Sequence, residues 1–132
     1  MEDEIKILFY DYLFCYERSI RKLKSNKDNL SLIRKFNTLL EEYNITITGK
    51  TIEQITNTQV CDNVVYMTKS KTIALDFLRH LRNCIAHVYI EDIDDKYIIK
   101  DFNKHSQTMS GIVDKNFLVN LIKTVKNENK LF

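Results

Sequence analysis

Apolar residues recur along most of this chain at helical spacing, and the stretches where that spacing lapses are short. Over residues 3–25 there is no helix breaker, and between Ile5 and Tyr16 the sequence is apolar nearly all round. A helix of that kind is buried on more than one side, in its own core or against a partner. A second helix starts near Asn29 or Ser31 and runs to Tyr43, with Leu32, Phe36, Leu39 and Leu40 in phase. Asn44 and Gly49 then mark a break. Residues 45–69 mix β-branched pieces, Ile45-Thr46-Ile47-Thr48 and Val64-Val65-Tyr66, with a short helical candidate at 51–56, and are expected to be irregular around that one short helix. A third strong helix spans about 70–87. Three β-like runs follow at 88–90, 96–102 and 108–113, separated by turns at Asp94-Asp95 and 103–107. Asp114 then caps a last helix to about Lys126, with Phe117, Leu118, Leu121, Ile122 and Val125 on its apolar face. The sum of these elements is a mainly α fold.

The third helix divides most sharply. At roughly 100° per residue, Ile73, Ala74, Phe77, Leu78, Leu81, Cys84, Ile85 and Val88 fill one arc, the expected core face. The opposite arc holds Asp76, Arg79, His80, Arg82, Asn83 and His87, interrupted only by Ala86. Asp76 with His80, Arg79 with Asn83, and Asn83 with His87 are i, i+4 neighbours whose side chains can meet. Because this arc is expected to point away from its own core, enclosing it needs another surface, and a twofold-related copy is the simplest supplier.

Composition narrows the classes. A chain of 132 residues, 44% hydrophobic and 29% charged, has the balance of one globular domain over 1–132 and the length to bury a core without metal or disulfide. No apolar run approaches the roughly 20 residues that span a bilayer. The acidic start, Met1-Glu2-Asp3-Glu4, is unlike a signal peptide, and Cys15, Cys61 and Cys84 are an odd set without metal-finger spacing, so a reducing cytoplasm is expected. The absence of proline, with only Gly49 and Gly111, removes the glycine-rich phosphate loops. A formal charge of +2 is too small to announce nucleic-acid binding by itself, so local clusters must carry it. One such cluster is Arg18, Arg21, Lys22, Lys24 and Lys27, whose plainer reading is a basic helix end favoured by the helix dipole.

Other candidates weigh less. His80, Cys84 and His87 form an i, i+4, i+7 line able in principle to hold a metal, but Cys84 falls in the core arc and no fourth ligand is evident, so no metal is expected. Cys84 reads better as a small buried hydrophobe. His105 sits in a turn. Tyr10, Tyr12 and Tyr16 have a use in stacking bases, though packing is the commoner use of such a stripe. For Asp76, Arg79 and His80 a solvated, salt-bridged face is at least as natural as a role supporting a site.

Arg82-Asn83-Cys84-Ile85-Ala86-His87 resembles the R-x(4-6)-H signature of the HEPN family, in which a polar residue, often Asn, follows the arginine. The flanking Phe77-Leu78-Arg79-His80-Leu81 and Val88-Tyr89-Ile90 resemble the plasmid-borne and phage-defence HEPN nucleases, and a weaker likeness extends over about residues 1–126. The resemblance implies an up-and-down four-helix bundle with a small β-hairpin or three-stranded meander before the last helix. It also implies a metal-independent endoribonuclease of toxin-antitoxin or abortive-infection type, with two motifs facing each other in a homodimer and no cofactor. An antitoxin or immunity protein is the further partner it suggests. In that chemistry the neighbouring 2′-hydroxyl attacks the phosphate and leaves 2′,3′-cyclic phosphate and 5′-hydroxyl ends. His87 is the candidate proton-transfer group, since imidazole titrates near neutrality. Arg82 would grip the charged phosphate through paired hydrogen bonds, with Asn83 orienting His87 or the phosphate, and Asp76, Arg79 and His80 in support. The competing expectation is a non-catalytic HEPN module that binds nucleotide, RNA or a protein partner, because fold does not fix activity.

Overall fold

The computed structural model describes residues 2–24, 26–70 and 72–128. Its helices are α1 (Asp3–Arg18), α2 (Leu30–Glu42), α3 (Ile52–Asn57), α4 (Ile73–Ala86) and α5 (Lys115–Glu128). Its strands are β1 (Thr46–Gly49), β2 (Val64–Met67), β3 (Ile90–Ile93), β4 (Lys96–Asn103) and β5 (Ser106–Asp114). The strands make one mixed sheet in the order β1-β2-β5-β4-β3, parallel between β1 and β2 and antiparallel elsewhere.

This α/β architecture overturns the expected mainly α bundle with a small hairpin or meander. The difference lies in residues 45–69, where Thr46-Ile47-Thr48 and Val64-Val65-Tyr66 are strands and not irregular chain. Each strand is only four residues long, too short to declare a period of two, and β2 is held by β5 from far along the chain (Val65 opposite Gly111). Residues 50–63, with α3 between, supply the crossover that parallel neighbours require. Gly111 permits this close pairing, since a Cβ there would come within 2.6 Å of Val65 Cγ2.

The helices follow their local signals more closely. Asn29 caps α2 by accepting from the Leu32 amide at 3.0 Å, Thr72 caps α4 through Leu75, and Asp114 accepts from the Asn116 amide at 2.9 Å as α5 begins. Helix α1 stops at Arg18, short of the expected end at Ser25, a residue outside those described. A tight turn at Ile20–Lys22 then swings Ile20 into the core while Arg21 and Lys22 stay exposed. The core joins α1, α2, α4 and α5 to one face of the sheet, with Tyr12, Phe36, Phe77, Phe117, Ile99 and Met109 among its fully buried side chains. Phe77 packs between Phe36 and Phe117, which ties α4 to α2 and α5. Among the described residues no helix is long and apolar enough to cross a membrane.

The sheet also changes the reading of α4. Asp76 and His80, assigned to an outward polar arc, are both fully buried, because β4 and the chain after β2 cover that side. Val88, assigned to the core arc, is 82% exposed, because the helix ends before it.

Candidate functional site

Three residues of α4 spaced by one turn, Asp76, His80 and Cys84, stitch the helix to the chain after β2 and to β4. Asp76 accepts from the amide of Ser70 at 2.9 Å and from its hydroxyl at 3.1 Å. His80 donates from Nδ1 to Asp101 Oδ2 at 2.7 Å, and its Nε2 lies 3.1 Å from the Thr68 carbonyl oxygen and 3.3 Å from Arg79 Nη2. The Cys84 thiol donates to the Lys100 carbonyl, and burial pushes that thiol well above its ordinary pKa, with Asp101 adding to the effect. The three side chains of the His80, Cys84, His87 line therefore do not converge: two serve the buried seam and His87 stands outside it. Among the described residues no group of three His, Cys, Asp or Glu side chains is placed to hold a metal.

Asp101 connects this seam to the surface. Its Oδ2 also accepts from Asn83 Nδ2 at 3.0 Å, and Oδ1 accepts from the Phe102 amide at 2.8 Å. Burial alone pushes its carboxyl up, but the hydrogen bonds from His80 and Asn83, the charge of His80 and the Phe102 amide outweigh it and leave the group below its ordinary value. The register of β4 against β5 shifts between Asp101 and Phe102, an irregularity of the kind that re-aims a side chain.

Asn83 passes the constraint outward. Its Oδ1 accepts from Arg82 Nη1 at 3.2 Å, and Arg82 Nε donates to Glu17 Oε1 on α1 at 2.9 Å. Glu17 Oε2 accepts from Arg21 Nη1 at 3.0 Å. Arg79, whose Nη2 is 3.8 Å from Asp76 Oδ1, completes the group. Tyr16, Glu17, Arg21, Arg79, Arg82 and Asn83 line an open cleft of about 400 Å³ between α1 and α4. At its wall burial raises the Tyr16 hydroxyl pKa, against the lowering influence of Arg79.

His87 sits at the end of α4 as its C-cap. Its amide donates to the Asn83 carbonyl at 3.0 Å, and its exposed ring packs on Tyr89 with centroids 6.1 Å apart. No hydrogen bond joins its ring to another described residue. The amide of Tyr89 returns to the Cys84 carbonyl at 2.8 Å and that of Val88 to Ile85 at 3.3 Å, the paired bonds of a Schellman closure. That closure puts Val88 at φ 58°, where glycine is usual and a β-branched residue is strained.

Of the residues singled out from the sequence, Arg82, Asn83 and Arg79 thus share one cleft, Asp76 and His80 lie behind it, and His87 is outside its lining. Asn83 orients Arg82, while its side chain makes no contact with the His87 ring among the described bonds. Sequence reasoning missed Asp101, Thr68 and Glu17, while Arg21 belongs to the basic cluster that the sequence does show. Asp101 did carry a signal, standing in the inward register of β4 after Tyr97 and Ile99. Glu17 carried none.

No protein-family model matches this chain significantly, and neither does any curated protein or solved structure.

Proposed function

We propose that this protein is a metal-independent endoribonuclease, related in its motif to the HEPN nucleases, that acts in the cytoplasm as a toxin or defence effector. One contrast carries the reading. Of the two histidines on the polar side of α4, His80 is fully buried with both ring nitrogens engaged, whereas the His87 ring is exposed at the end of the helix, where a substrate can reach it. Arg82, held from behind by Asn83, is the matching phosphate group. Because His87 does not line the Arg82 cleft, a second copy brings the two groups together from opposite chains. Helix α1 supports such a homodimer, since Ile7, Tyr10 and Phe14 form an exposed apolar stripe at helical spacing. Asp3 and Glu4 at one end of it and Arg18 at the other suit antiparallel pairing with a copy of itself.

The same observation favours a second reading: a cleft of arginines without a proton-transfer histidine also describes an RNA-binding module without catalysis. Incubation of the purified chain with single-stranded RNA in EDTA, with analysis of the product ends, separates the two. The nuclease yields 2′,3′-cyclic phosphate and 5′-hydroxyl ends. Intact RNA that is nevertheless bound would leave the binding module.

A further inference from the structure

We infer that the cleft between α1 and α4 is a binding site for the phosphodiester backbone of RNA, in which the Glu17 carboxylate occupies the phosphate position until a strand displaces it. The choice of RNA rests on the proposed function; the anion site itself rests on geometry. Three guanidiniums, from Arg21, Arg79 and Arg82, border a cleft of about 400 Å³ whose lining includes the Glu17 carboxylate. The two oxygens of Glu17 accept from different arginines, Oε1 from Arg82 at 2.9 Å and Oε2 from Arg21 at 3.0 Å. Two non-bridging phosphate oxygens make the same pair of charge-assisted bonds.

Displacement costs the fold little. The Glu17 side chain is 39% exposed and Arg21 is 71% exposed, so their ion pair is weak and leaves no buried charge behind when broken. Arg82 does not depend on Glu17 for its position. Asn83 holds Nη1, Asp101 holds Asn83, and His80 holds Asp101, so the guanidinium stays aimed into the cleft after Glu17 leaves. Arg79 is held in turn by its ion pair with the buried Asp76 at the back. Glu17 therefore sets the threshold for binding: it keeps weak anions out and yields to a strand that meets several arginines together.

The test measures binding apart from cleavage, by fluorescence anisotropy of a short labelled single-stranded 2′-deoxy oligonucleotide, which lacks the attacking hydroxyl, titrated with the full chain over a range of salt. Glu17→Gln should bind roughly threefold tighter, the scale of one exposed ion pair. Arg21→Gln and Arg79→Gln should bind more weakly, each flattening the slope of log affinity against log salt by about 0.7. Equal or weaker binding by Glu17→Gln overturns the displacement, and unchanged slopes in both arginine variants overturn the site. RNA of the same sequence, assayed in parallel for cleavage, separates this from the nuclease reading. Tighter deoxy-strand binding by Glu17→Gln with uncut RNA keeps the cleft and removes the enzyme; cut RNA with indifferent Glu17 does the reverse.

Discussion

His80 and Asp101, one on α4 and the other on β4, form a buried pair at 2.7 Å, and through Asn83 that pair sets the direction in which Arg82 leaves the helix. A surface residue is thereby held by a chain of hydrogen bonds that begins in the core. Such a chain makes the site rigid and also makes its stability sensitive to the charge on Asp101.

Replacing His80 by Ala should destabilise the fold by about 3 kcal/mol, because it strands a buried carboxylate. Asp101→Asn should cost less, since the amide is neutral. The folded Asp101 carboxyl lies below its ordinary value of 3.8, so its contribution is fully present above that pH and is lost as pH falls through the lower folded value. Urea unfolding of wild type and Asp101→Asn at neutral pH and in acid reads this directly: the gap should narrow below about pH 3.8. A gap that widens in acid would mean that Asp101 is not held in its charged form.

Val88→Gly should raise stability by about 0.5–1 kcal/mol, because glycine removes the left-handed strain at φ 58° at some cost in unfolded-state entropy. The side chain is exposed, so little packing is lost. A lower urea midpoint in the variant would show that the exposed valine contacts something, and a partner copy would be the first candidate.

Arg82→Lys should lower RNA cleavage by about 10²- to 10³-fold although the charge is kept, because an ammonium lacks the planar fork that Asn83 and the cleft orient. His87→Ala should lower it by about 10²- to 10⁴-fold. Both variants should unfold near the wild-type midpoint, since the Arg82 ion pair with Glu17 is exposed and so is the His87 ring. Wild-type cleavage rates in both would dismiss the proposed catalytic pair.

Tyr10→Glu should weaken self-association. Tyr10 is 67% exposed at the centre of the Ile7, Tyr10, Phe14 stripe, where a carboxylate would face its own copy across a twofold axis. Sedimentation at micromolar concentration should find the wild type dimeric and the variant shifted toward monomer. A monomeric wild type would refute the shared site.

What the sequence determined by itself was whatever depends on residues within one or two helical turns. The apolar faces of α2 and α5, the caps at Asn29 and Asp114, and the turns at Asp94-Asp95 and Lys104-His105 are all of this kind. So is the adjacency of Arg82 and Asn83 at the exposed end of α4. Tertiary structure alone decided the pairings that span the chain. Strand β2 exists because β5 lies beside it, and β1 because it pairs with β2; strands of four residues have no period long enough to announce that. Asp76 and His80 look solvated on a helical wheel and are buried because a sheet the wheel does not contain packs over them. Asp101 finds His80 across 21 residues, and Glu17 finds Arg82 across 65. A helix states its own faces through a local repeat, but which second element covers a polar face is set by the packing of the whole chain, so the partners of Arg82 became visible only in the fold.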